Sequence, residues 1–295
     1  MRSLLIKVLL HKFFLKIRML VISLFVHKIK YQLGSMFIFL PARHTLPYFL
    51  KLHRNYDRFL PHFVTFLDDG AVVIDVGANV GDTLALMVSE NPKLSYIAIE
   101  GSEKFFHFLS LNVELIKKQS SVVDIEIVNA LVGTNLESLE LKIYQGTAAL
   151  RPAVRLKSKQ IPLDHLIAIS DPPRIDLIKI DTDGFDFSVI ESANDVINRT
   201  QPCIFFELQF DYSWQIEGYS RVLRNLNSRG YTNWTFFDNF GSLLLTTEDF
   251  NIVVDLMRYL ELQNRSVSDR TIYHFDVLTC TAKHKELIQR IVHEY

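Results

Sequence analysis

VIDVGANVGDT, residues 73–83, is an apolar run that ends in an acid and passes straight into a glycine turn. A strand covered on both faces reads as such a run. A polar residue just past the turn, here Asp82, is where a helix starts. Strand, sharp turn and helix together form the first unit of a doubly wound sheet, whose ligands lie beyond the carboxyl ends of the strands. The dinucleotide fingerprint requires G-x-G-x-x-G. Here Gly77 and Gly81 are spaced G-x-x-x-G, and the middle glycine is replaced by Asn79. Asparagine tolerates a left-handed backbone better than most residues. The turn is therefore kept, without an evident pyrophosphate cradle.

The pattern continues outward from that unit. LSYIAIE (94–100) reads as a second strand and Glu103 to about Lys117 as a helix. VDIEIVNA (123–130), IDLIKID (175–181) and PCIFFELQF (202–210) read as further strands. Helices are expected over Phe185–Asn194, 216–229, 248–262 and 283–294, with closing strands at YTNWTFF (231–237) and TIYHFDVLTCTA (271–282). Residues 131–160 break the rhythm, because LESLELKIYQG alternates like one edge of a hairpin. The expected fold is α/β: a doubly wound mixed sheet of about seven strands with helices on both faces.

The 295 residues carry a formal charge of −1, but unevenly. Residues 1–56 hold ten Lys and Arg and no acid, which leaves the remainder at −11. An acidic body argues against a nucleic-acid partner. DPPR (171–174) resembles a base-methylating signature, but it precedes its strand and ends in Arg, so it reads as loop. Cys203 and Cys280 lie in apolar runs as buried thiols, which points to a reducing, cytoplasmic setting.

Residues 1–45 read as a basic, hydrophobic, helical extension, and residues 46–295 as one catalytic domain with 131–160 inserted. The uncharged run Met19–Val26 is far short of the ~20 residues a bilayer span needs. Three readings of this segment stay open. Residues 1–30 lie on an anionic inner-membrane surface, they pack on the body, or translation starts at Met19 or Met36.

Candidate site residues gather at strand ends. Asp75 and the turn Gly77-Ala78-Asn79 with Gly81 lie at the first, and Glu100-Gly101-Ser102 at the second. A carboxylate at the second strand end can take both hydroxyls of a ribose. A strand-end acid, a glycine turn and a second strand-end acid describe a pocket for S-adenosylmethionine, which has a ribose and a sulfonium but no phosphate. Asn129 and Ala130, ending the third strand, are expected near the adenine. Lys179-Ile-Asp181-Thr-Asp183-Gly184-Phe-Asp186 turns off the fourth strand beside the methyl-transfer point. Asp181, also counted with the donor site, and Glu207 at the fifth strand end are candidates to orient or deprotonate an acceptor. Asp183 is added to them, with helix capping as the competing role for Asp183 and Asp186. Asp181, Asp183 and Glu207 are the hard donors magnesium takes, but nothing in the sequence makes them converge and no metal is assigned. TLPYFLKLHRNYD (45–57), flanked by His44 and holding His53, reads as a lid or as aromatic packing, and His165 as a surface or core residue.

VIDVGANVGDT, IAIEGS (97–102), IVNALVG (127–133), IPLDHLI (161–167), IDLIKIDTDGFDFSVIESA (175–193) and PCIFFEL (202–208) occur in one order and spacing. In this the chain resembles the FkbM-type S-adenosylmethionine-dependent methyltransferases. Where DTDG (181–184) stands, many members carry Asp-x-Glu-Gly. The resemblance implies a class I, Rossmann-like methyltransferase fold and O-methylation of a hydroxyl-bearing acceptor, first a saccharide of a bacterial surface glycan. Other readings are a polyketide-type small molecule, a non-catalytic scaffold that binds S-adenosylmethionine, and a nicotinamide dehydrogenase, which the missing glycine disfavours.

Overall fold

The structure, a computed structural model, describes residues 28–295 apart from 121–123, 135–138, 144–145, 153–158 and 267–270. Residues 1–27, and with them most of the membrane-surface reading, lie outside the described residues. Among the described residues, no helix is long and apolar enough to cross a membrane.

The chain opens on strands β1 (Lys28–Leu33) and β2 (Met36–Pro41), then helices α1 (Leu46–Leu52) and α2 (Phe59–Val64). The core units follow: β3 (Val72–Val76), α3 (Asp82–Glu90), β4 (Ser95–Glu100), α4 (Glu103–Gln119) and β5 (Asp124–Asn129). Next come β6 (Leu139–Ile143), β7 (Ala148–Pro152), α5 (Leu163–Ser170), β8 (Leu177–Ile180), α6 (Asp186–Glu191), α7 (Asn194–Thr200) and β9 (Cys203–Gln209). The chain closes with α8 (Ser213–Ser228), β10 (Tyr231–Asp238), β11 (Leu243–Thr247), α9 (Phe250–Ser266), β12 (His274–Thr281) and α10 (Lys285–Glu294).

The main sheet runs β11-β10-β12-β9-β8-β3-β4-β5. Pairs from β5 to β9 are parallel, and β12 is inserted antiparallel between β9 and β10. The winding reverses between β3 and β8, the switch point where such sheets bind ligands. The sheet has eight strands where the sequence suggested about seven. The extra one, β11, is a half-exposed edge whose LLLTT lacks the alternation that marks a half-buried strand. It is turned back on β10 by Gly241 (φ 82°), with Asp238 accepting from the Phe240 and Ser242 amides.

Strand alternation separates two cores. Val72, Ile74, Ile178, Ile180, Ile204, Phe206, Phe275 and Val277 pack on one face. Val73, Leu177, Cys203, Leu278 and Cys280 pack on the other. Past the apolar part of that second face, the same alternation brings Asp75, Lys179, Glu207, His274 and Asp276 to one side at the strand ends. Cys203 and Cys280 are buried free thiols.

Residues 28–41 correct the expectation of a helical extension through residue 45, since they form an antiparallel hairpin. Met36, Ile38 and Leu40 are buried inward, while Lys28 and Lys30 lie outward over the rings of Phe39 and Phe37. The free edge of β2 is satisfied by side-chain amides of α4. Phe39 N donates to Asn112 Oδ1 (2.6 Å), and Asn112 Nδ2 donates to Phe39 O (2.9 Å) and Val80 O (2.7 Å). Gln119 makes the same pair of bonds with Phe37. Fully buried Asn112 thus fastens the hairpin to the turn between β3 and α3.

Asn112→Ala would leave three backbone groups unpaired, two part-buried at Phe39 and one buried at Val80. We expect it to lower the unfolding free energy in urea by at least ~2 kcal/mol and to speed hydrogen exchange at the Phe39 amide. A change within a few tenths of a kcal/mol would show that water replaces Asn112.

Candidate active site

The turn after β3 is set by a close approach. Gly77 has φ 78°, and a Cβ there would lie 1.9 Å from the carbonyl oxygen of Asp181. Only glycine lets the β8 end pass so near. Asn79 takes the left-handed conformation at φ 51°, and Gly81 at φ 82° begins α3. The turn's amides are used within the protein. Gly77 N and Ala78 N donate to Ile99 O, and Gly81 N donates to Ala78 O. Asn79 N donates to Glu100 Oε2 (2.8 Å), while Ser102 N donates to Glu100 Oε1 (2.7 Å). Burial holds the Glu100 carboxyl above its ordinary value, against the pull of those two amides.

Asp75 lies beneath this turn. It is 1% exposed, and its Oδ1 is 2.9 Å from Nζ of Lys179, its cross-strand partner. Lys179 also donates to Gly77 O (3.1 Å) and lies 3.5 Å from Asp181. Burial pulls the Lys179 ammonium toward neutrality, but Asp75 and Asp181 outweigh it and hold it above its ordinary value. Burial likewise raises Asp75, against the pull of Lys179.

Beyond Lys179 the strand ends become acidic. Asp181 is half-exposed, one residue past the Ile180–Phe206 pairing, and so comes beside Glu207. Glu207 faces Asp276 directly across the β9–β12 ladder. His274 Nδ1 lies 3.0 Å from Glu207 Oε1, and its Nε2 lies 3.9 Å from Asp276 Oδ1. Burial, then Asp181 and Asp183, drive Glu207 well above the usual carboxylate range. Burial also raises Asp276, opposed by His274, and lowers His274. Asp183, at φ 53°, accepts from Thr147 Oγ1. Asp186 is fully buried and accepts from Thr182 N, Thr182 Oγ1 and Glu207 N. It staples the acidic loop to β9.

Most of these groups, though not Asp75 or Asp186, line one cavity of about 1070 Å³. Its wall includes Gly77, Asn79, Glu100, Gly101 and Ala130 from the β3–β5 side of the sheet, and Asp181, Asp183 and Glu207 from the β8–β9 side. Five residues proposed for the methyl donor lie outside the wall, for visible reasons. Asp75 is paired with Lys179, Ala78 is buried beneath the turn, and Gly81 caps α3. The Ser102 hydroxyl accepts from Phe105 N to cap α4, and Asn129 Nδ2 donates to Glu100 O. His44 is in the wall, with Nδ1 accepting from Leu46 N, whereas His53 stacks on Phe240 at 4.2 Å and His165 is exposed.

The sequence reading passed over His274, Asp276 and Asp57. The signal for the first two was polar residues at alternate positions in the otherwise apolar YHFDVLTC. Asp57, at φ 54°, is raised to about 8 by burial, then by Asp82 and Asp181, against Lys179 and Arg58.

Lys179→Met would leave Asp75 buried without its counter-ion. We expect a loss of about 3–5 kcal/mol in urea unfolding, partly recovered when Asp75→Asn is added. A cost below ~1 kcal/mol would show that the pair is solvated.

The raised acids also set a pH slope. Asp57 at about 8 keeps its proton in the folded chain after the unfolded chain has lost it at 3.8. Its contribution is therefore complete at low pH and disappears as pH rises through the folded value. Glu207 and Asp276 act with the same sign. The lowered His274 acts oppositely, but only up to about its unfolded value of 6.5. Unfolding free energy should thus fall between pH 7 and pH 9, and Asp57→Asn, which tolerates the left-handed backbone, should flatten the fall. A rise over that window would contradict the assignment.

No curated protein matches the chain. Among solved structures, the precorrin-6y C5,15-methyltransferase of Geobacter metallireducens is 10% identical, over 76% of this chain and 87% of that one, at a TM-score of 0.39. TYW2 of M. jannaschii, solved with AdoMet, is 10% identical over 86% and 85%, at 0.43. An rRNA methylase of Streptococcus thermophilus is 11% identical over 75% and 93%, at 0.39. These likenesses are too loose to carry a ligand across. Residues 75–232, more than half of the chain, match the methyltransferase FkbM domain, from the glycine turn to the start of β10, and the chain belongs to that family.

Proposed function

We propose that this protein transfers the methyl group of S-adenosylmethionine to a hydroxyl, first of all on a saccharide of a bacterial surface glycan. The observation that carries the donor is Glu100. Its carboxylate is buried, fixed by the amides of Asn79 and Ser102, and in the cavity wall, with lone pairs left for a ribose diol. The turn beside it has the amides of Gly77, Ala78, Asn79 and Gly81 already bonded. A pyrophosphate would find those donors taken, which favours a cofactor without phosphates.

S-adenosylmethionine supplies an activated methyl group on a cationic sulfonium. The chain's own work is to hold donor and acceptor in line and to exclude water. Asp181 is a half-exposed carboxylate in the cavity wall next to Gly77, and as acceptor of the hydroxyl proton it would add about 10²–10⁴-fold. A hydroxyl-rich acceptor suits the polar wall beyond it, which includes Gln209 and Asp211.

Calorimetric titration with S-adenosylhomocysteine and, separately, NAD tests the donor. We expect binding of the first only, weakened at least tenfold by Glu100→Ala, about 1.4 kcal/mol. NAD binding, or no binding of either ligand by the folded chain, would overturn it. Label from methyl-tritiated donor should then appear in the glycan fraction of a lysate. Label confined to lipid or small-molecule fractions would overturn the saccharide.

A further inference from the structure

Glu207, His274 and Asp276 come together in a way that proton transfer alone does not require. β12 alternates, so His274 and Asp276 project to the same side of the sheet. The antiparallel register sets Asp276 directly opposite Glu207. Two carboxylates facing each other across a ladder repel, and Asp181 extends the row. One donor atom from each of Glu207, His274 and Asp276 lies within 4.8 Å of the others. His274 is only 9% exposed. Its Nδ1 and Glu207 Oε2 are both buried, and neither makes a hydrogen bond of sound geometry. Such atoms cost free energy unless something else fills the space between them.

We propose that these three residues bind one divalent cation at the acceptor end of the cavity. One imidazole nitrogen and two carboxylates suit manganese or zinc better than magnesium. Bonds of about 2.1 Å put neighbouring ligands roughly 3 Å apart, so small side-chain rotations close the set. Three protein ligands leave open positions facing the cavity, and an acceptor hydroxyl is the natural occupant of one.

This role rests on the methyl-transfer reading above. The cation lowers the pKa of the bound hydroxyl. The O–H bond breaks, and its proton passes to Asp181. The oxygen lone pair forms the O–CH3 bond, while the C–S electron pair stays on sulfur and turns sulfonium into thioether. The cation is neither oxidised nor reduced. The ligand set differs from the Asp181, Asp183 and Glu207 group that the sequence offered. Asp183 is engaged by Thr147, and the final strand supplies the other two ligands.

The test uses the untagged full chain, stripped with chelator and titrated with Mn2+, with free ion read by electron paramagnetic resonance. Wild type, His274→Ala and the shape-preserving Asp276→Asn are compared, each also titrated with S-adenosylhomocysteine and checked by thermal melt. We expect one Mn2+ per wild-type chain, at least tenfold weaker binding in each folded variant, and S-adenosylhomocysteine affinity unchanged within threefold. Failure of the folded wild type to take up Mn2+, or equal uptake by Asp276→Asn, overturns the site and leaves the donor reading intact. Uptake by wild type with loss in the variants, but no binding of S-adenosylhomocysteine, keeps the site and removes its role in methyl transfer.

Discussion

The ammonium of Lys179 is the point on which the site turns. From inside the sheet it touches Asp75 on the neighbouring strand, the carbonyl of Gly77 in the turn above, and Asp181 at the edge of the cavity. A buried charge is stable only when its partners surround it, so the three are fixed relative to one another. The carbonyl of Asp181 then lies so close to Gly77 that no side chain fits between. The side of the cavity that would hold the donor and the side that would hold the acceptor are therefore set by one cation and one missing Cβ.

Electrostatics follows from the strand order. Asp75 is neutralised within its own pair at 2.9 Å, whereas Asp181, next along the row, meets the same ammonium only at 3.5 Å. Asp181, Glu207 and Asp276 come from adjacent strands and reach the same level because parallel and antiparallel registers coincide there. A wall that concentrates negative charge attracts cationic ligands and raises the proton affinity of its own acids. The sulfonium of the donor and a divalent ion would both be drawn to it.

What could be read in the sequence was what is local. The glycine turn announces itself, because left-handed backbone restricts which residues serve there. Buried parallel strands are legible as unbroken runs, and Glu100 and Glu207 stand out as acids that end them. The β1–β2 hairpin was missed because Lys28 and Lys30 continue a spacing of basic residues begun in residues 1–27, and cation–π contacts let them sit on a strand face. Edge strand β11 has too little alternation to register. His274 and Asp276 lie some seventy positions from Glu207 along the chain. Only the pairing of the last strand with β9 brings them together, and no local pattern records a register.

The β6–β7 hairpin has a consequence of its own. At its tip, the carbonyl of Gly146 accepts from the Asn79 side chain in the glycine turn, and the Thr147 hydroxyl donates to Asp183 in the acidic loop. One short tether thus grips both halves of the cavity. A tether that both ligands moved would obey reciprocity: the change the first makes in the affinity for the second equals the change the second makes in the affinity for the first. Order of arrival would then alter the path of binding but never the total, and a change at that tip would be felt at both sites.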